Sequence, residues 1–169
     1  MTVQTSPAQS KGASPLFLRE AEIRRGIELL YFGHSHLTRA VDEGLETQGL
    51  GRAHHRALYF IARQPGLTVS DLLKLLAITK QSLGRVINDL AARDLVESMS
   101  GRTDRRQKLL RLTSAGAALE ASLFDSLREK LAYAYGEAGQ NAVSGFWKVL
   151  EGLIPEDEIA RVIALQQGD

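Results

Sequence analysis

Two threonines, Thr68 and Thr79, each open a short helical pattern, and two extended runs follow before the chain returns to helix. That order of elements narrows the available folds more than any other feature of the sequence. Thr68-Val69-Ser70-Asp71 has the Thr-x-x-acid arrangement of a helix start, although Asp is less usual than Glu at the fourth place. The helix it opens holds Leu72, Leu73, Leu75 and Leu76, and Ala77-Ile78 breaks it. Thr79 then caps a helix predicted to run to about Asp94. Leu83, Val86, Ile87 and Leu90 form its buried side, while Lys80, Gln81, Ser82 and Arg85 fall at or near its exposed first turns. Leu95–Met99 reads as extended, Ser100-Gly101 begins a loop, and Lys108–Thr113 alternates through Leu110 and Leu112. The prediction is a hairpin whose tip carries Arg102, Asp104, Arg105 and Arg106.

Two short helices, a tight connection and a hairpin with a basic tip are the order of a winged helix-turn-helix. A helix about 10–12 Å wide fits the major groove of DNA, with its first residues at the base edges and the preceding helix crossing the backbone. Free amides at the helix start favour phosphate, and an arginine-rich tip suits a narrow minor groove of strongly negative potential. Charge follows the same division. Thr79 to Thr113 holds eight basic and four acidic residues, whereas the rest of the chain holds thirteen basic and sixteen acidic. A basic stripe in an acidic body is the footprint of a polyanion-binding module.

The flanks read as helix. Residues 1–13 have almost nothing to bury and predict a disordered arm. Ser14-Pro15 looks like a cap with proline at the first helical position, and one long helix is expected from there to about Thr47. Its apolar stripe runs through Ile23, Ile27, Leu30, Leu37 and Val41, with His34 in phase. A turn at Gln48–Gly51 and a helix to about Gln64 follow, ended by Pro65-Gly66. After the hairpin, Thr113 is placed to cap a helix to about Gly136. A further helix spans Gln140 to Ile154, and Pro155 opens a last short one. The expected architecture is mainly α: a winged helix-turn-helix (51–113) with a small antiparallel wing sheet, flanked by dimerisation helices (14–50 and 114–169). The chain's 169 residues suit one domain with such an appended element. Absence of cysteine excludes disulfides, Cys-ligated metals and thiol redox switching. No signal-like or membrane-spanning run occurs, so the expected location is cytoplasmic, with no membrane partner.

The residues from Thr68 to Val96, with Gly101 to Thr113 (GRTDRRQKLLRLT), resemble the MarR family of bacterial transcription regulators. Asp104 and Arg106, with Leu110-x-Leu112-Thr113 behind them, match that family's wing signature. Ile78 to Leu90 (ITKQSLGRVINDL) matches its recognition helix, and the likeness extends over nearly all of residues 15–154. Gly49 to Ile61 (GLGRAHHRALYFI) is similar to a PetP-like subgroup. The resemblance implies a homodimer built from the first and last helices, bound to a pseudo-palindromic operator in double-stranded DNA. It also implies that Arg106 enters the minor groove and that Asp104 braces the wing by an ion pair. DNA contact is expected at Thr79, Lys80, Gln81, Ser82, Arg85, Arg102, Arg105, Arg106 and Lys108. A repressor is expected, with affinity modulated by a small aromatic effector in a pocket near Tyr31, His34, His55 and Tyr59.

Other readings stand beside these. Tyr31, Phe32, Tyr59 and Phe60 fit a hydrophobic core better than a pocket, and Phe146 and Trp147 fit helix packing or a dimer interface. The histidines suggest a metal- or haem-responsive regulator. However, His34 and His36 lie about 200° apart on a helix and His54 and His55 about 100° apart, so neither pair grips one ion. No metal or other cofactor is expected. A winged-helix adaptor that does not bind DNA is a further alternative. No phosphate loop, His-Glu-x-x-His or Gly-x-Ser-x-Gly motif is present, and no catalytic residues are assigned.

Overall fold

A computed structural model describes residues 14–101 and 107–166. These residues divide into two compact units, with the boundary between His36 and Leu37.

In the first unit the Ser14 hydroxyl accepts from the Leu16 amide and starts a 3₁₀ turn at Pro15–Leu18. The long helix predicted from Pro15 to Thr47 is not continuous. Arg19 is extended (φ −67°, ψ 145°), and α1 (Glu20–Arg39) starts after it with Glu20 and Glu22 in its first turn, where carboxylates are favoured. No residue of α1 is buried. Tyr31 and Phe32 are 73% and 66% exposed, which corrects their core assignment: they lie on a helix that buries none of its residues.

The second break follows Arg39. Bonds from Ala40 and Val41 back to the carbonyls of Leu37 and Thr38 tighten the helix end, and α2 (Asp42–Glu46) starts afresh. The break lets Val41 and Leu45 both bury, each at 1% exposure.

The core of the second unit is apolar throughout. Leu58 and Ile61 of α3 (Arg52–Arg63), Leu72 and Leu76 of α4 (Val69–Leu76), and Leu83, Val86 and Leu90 of α5 (Lys80–Ala92) meet in it. Thr68 and Thr79 cap α4 and α5 as the sequence predicts, each hydroxyl accepting from the amide three residues on. Ala77, between the helices, takes the left-handed conformation (φ 50°, ψ 43°) that ends α4.

The sheet holds three strands in the order β1 (Leu67–Thr68), β3 (Lys108–Leu112), β2 (Val96–Ser100), all antiparallel. Val96 faces Leu112 and Ser100 faces Lys108, the expected hairpin. Strand β1 has no precedent in the sequence reading: two residues are too few for alternation to show, and pairing of Leu67 with Leu110 creates it. Thr113 caps α6 (Ser114–Ala138) and donates to the Asp94 carbonyl. Then come α7 (Gln140–Glu151) and α8 (Glu156–Gln166). Trp147 donates its indole N–H to the Tyr135 hydroxyl at 3.1 Å, joining α7 to α6. Among the described residues no helix is long and apolar enough to cross a membrane.

Candidate nucleic-acid interface

The start of α5 is built to present polar groups. Thr79 Oγ1 accepts from the Ser82 amide at 3.1 Å and lies 2.9 Å from Ser82 Oγ, to which it donates. That ties the two hydroxyls together, and Ser82 retains a proton to give. Lys80, Gln81, Ser82 and Arg85 are all exposed, opposite buried Leu83, Val86 and Leu90. At 100° per residue, Lys80, Gln81, Gly84, Arg85 and Asn88 share one face of the helix. Gly84 and Asn88 are additions to the sequence-predicted set. A Cβ at Gly84 would meet nothing within 4 Å, so this face is flattest where its cations flank it. The helical spacing of 80, 84 and 88 was the signal that could have found both.

Lys108 sits elsewhere. It is exposed on β3, and with Gln107 it lines a hollow against the first turn of α4, Thr68 to Asp71. There the Thr68 hydroxyl, helped by Lys74, holds the Asp71 carboxyl below the usual carboxylate range. Arg102, Asp104, Arg105 and Arg106 lie outside the described residues. Gly101, which donates to the Gln107 carbonyl at 2.9 Å, marks where the hairpin arms reach them.

The four effector-pocket residues fall in different units. Tyr31 and His34 line a shallow apolar groove on α1 with Ile27 and Leu30. His34 is exposed although it is in phase with the apolar stripe of α1. His55 and Tyr59 are neighbours on α3, ring centroids 6.5 Å apart. His55 Nε2 is buried and has no hydrogen-bond partner among the described residues. Burial, reinforced by the Arg56 charge, lowers the His55 pKa. Among the described residues no three His, Asp or Glu side chains gather as a metal site.

The sequence profile of the MarR family matches residues 48–107. Over 143 residues the chain is 46% identical to the HTH-type transcriptional regulator PetP of Rhodobacter capsulatus, covering 85% of this chain and 86% of that one. The chain belongs to the MarR family. Solved MarR-family structures share its fold over most of its length. The E. coli MarR variant complexed with operator DNA superposes with a TM-score of 0.64 at 22% identity, covering 84% of this chain and 100% of that one. NadR in complex with 4-hydroxyphenylacetate gives 0.66 at 22% identity, with 88% and 97% covered. A MarR-family regulator from Silicibacter pomeroyi gives 0.66 at 18% identity, with 84% and 94% covered. The protein is a winged-helix, DNA-binding transcription regulator, and not an enzyme.

Proposed function

We propose that the chain acts as a cytoplasmic homodimer, each copy presenting one α5 to half of a pseudo-palindromic operator, and that it represses. The observation that carries this is the polar first half of α5: five residues on one face (Lys80, Gln81, Gly84, Arg85, Asn88), none of them buried, stand over a fully apolar underside. Lys80 and Arg85 supply cations beside the inserted helix, and Gln81 and Ser82 supply groups for base edges or phosphates. Lys108 and the amides of α4's first turn meet the backbone further along the duplex. Arg102, Arg105 and Arg106 extend the wing to the adjacent groove, braced by Asp104. The helices of 14–50 and 114–169 form the dimer around the DNA-binding segment 51–113. Exposed Ile23, Ile27 and Leu30, at 47%, 49% and 40%, are an apolar stripe that a second copy covers.

Binding of a small aromatic effector to the dimer shifts the separation of the two α5 helices. Half-sites one duplex turn apart require a fixed separation, so an effector that prefers the displaced state weakens DNA binding. The 4-hydroxyphenylacetate complex of NadR supports this class of ligand, as does the regulation of BpsR DNA binding by 6-hydroxynicotinic acid. The test is selection of bound duplexes from random DNA by the full chain, followed by titration across salt. Lys80→Ala and Arg85→Ala are each expected to weaken binding and to reduce the salt slope by about one. Wild-type affinity in both variants, or failure to select any duplex, overturns the reading.

A further inference from the structure

The Gly49–Ile61 motif has a structural role away from the DNA face. Its first residues hold the rear half of α5 through side chains on both sides. His54 Nδ1 accepts the Gly51 amide at 3.0 Å. A ring nitrogen that accepts carries no proton, so the neutral ring holds its proton on Nε2, which lies 3.2 Å from Asp89 Oδ2 and donates to it. One imidazole thereby caps α3 and reaches α5. Arg93, at the end of α5, donates to the carbonyls of Gln48 (3.2 Å), Gly49 (3.4 Å) and Asp89 (3.2 Å). Gly49 makes that turn with φ +62°. Arg52 closes the other side of the turn with a two-pronged pair to Asp42 of α2, at 2.9 and 2.7 Å. The two turn partners of Arg93 are 44 and 45 residues away in sequence.

These contacts are exposed, and exposed polar pairs contribute little to folding. Their consequence is geometric. Asp89 and Arg93 sit on the flank of α5, outside the Lys80–Asn88 face. From Arg93 to Lys80 the helix rises about 20 Å at 1.5 Å per residue, so a tilt of about 10° at the rear moves the leading turn by roughly 3 Å. That is enough to undo hydrogen bonds to base edges.

We propose that His54, Asp89 and Arg93 are positioning residues for operator recognition: they set the pitch of α5 by tying it to the Gln48–Gly51 turn, and displacement of that turn is thereby passed to the DNA-reading face. The proposal rests on α5 being the recognition helix. It is tested on the full chain with the duplex that the wild type selects and with a random-sequence duplex, each across salt, alongside thermal unfolding. His54→Gln keeps the cap on Gly51, since Gln serves at that position of a capping box, but lacks the ring that spans both partners. His54→Gln, Asp89→Ala and Arg93→Ala are each expected to weaken binding to the selected duplex by about tenfold, with the salt slope unchanged and the random duplex little affected. The His54→Gln, Asp89→Ala double variant is expected to be no weaker than the worse single, because both remove one link. Asp89→Asn, which keeps an oxygen acceptor for Nε2–H, is expected to restore binding. Affinity within about twofold of wild type in all three single variants overturns the proposal. So does equal loss on both duplexes with a salt slope lower by about one, the mark of a direct phosphate contact. Binding by Asp89→Asn as weak as by Asp89→Ala also overturns it. If the wild type selects no duplex at all, the DNA reading itself fails and the clamp falls with it; if the wild type binds and the variants match it, only the clamp fails.

Discussion

His55 shows what a single residue can lose by being buried. Its Nε2 is enclosed without a partner among the described residues, and burial, then the charge of Arg56, lowers its pKa from the ordinary 6.5. The folded chain therefore binds fewer protons than the unfolded chain once the pH falls below 6.5. Stability declines there; at higher pH both states are neutral and the effect vanishes. His55→Phe, which fills the site without a titrating group, is expected to flatten the dependence of melting temperature between about pH 7.5 and 5.5. An equally steep dependence in the variant would assign the acid sensitivity to other groups. His54, one residue earlier, is the contrasting case, with both ring nitrogens engaged.

At the scale of elements, one helix connection carries strain and one helix start carries the close packing that hold the winged helix together. Ala77 ends α4 in a left-handed conformation that costs a side-chain-bearing residue about 1 kcal/mol. Ala77→Gly is expected to raise stability by up to about 1 kcal/mol in a denaturant titration, since glycine takes that conformation without penalty but adds chain entropy when unfolded. Gly116 does the opposite work. A Cβ there would stand 1.9 Å from the Leu95 carbonyl oxygen, so α6 can cross the start of β2 only on a bare backbone. Gly116→Ala is expected to destabilise by about 2 kcal/mol or more, because backbone rather than a flexible side chain must give way. A neutral Gly116→Ala in the same titration would contradict this packing.

For the whole molecule, the decisive feature is apolar surface that one chain leaves uncovered. α1 has helical apolar spacing and no buried residue, and Phe146 and Trp147 of α7 are 42% and 51% exposed. Under the homodimer reading, Ile27→Glu places a charge in the stripe that the second copy covers. The double variant Ile27→Glu, Leu30→Glu is expected to sediment as a monomer and to lose operator binding by orders of magnitude, since one α5 alone engages only half of the site. A double variant that remains dimeric would move the interface away from α1.

Local chemistry made much of this molecule legible in advance. A threonine three residues before an amide, leucines at helical spacing and alternation through Leu110 and Leu112 depend on neighbours in sequence. Both helix caps, α4 and α5, the hairpin and the polar face of α5 could therefore be read directly. What depends on partners far along the chain could not. Two residues become β1 only because Leu110 is beside them, and Gly116 is required only because Leu95 passes there. The α1–α2 break separates an exposed stripe from two buried residues that share its spacing. Arg93 and His54 acquire their roles from carbonyls and a carboxylate that folding alone brings within about 3 Å. Sequence periodicity reports which face of an element is apolar; only tertiary packing decides what covers that face and which polar groups meet at its edges.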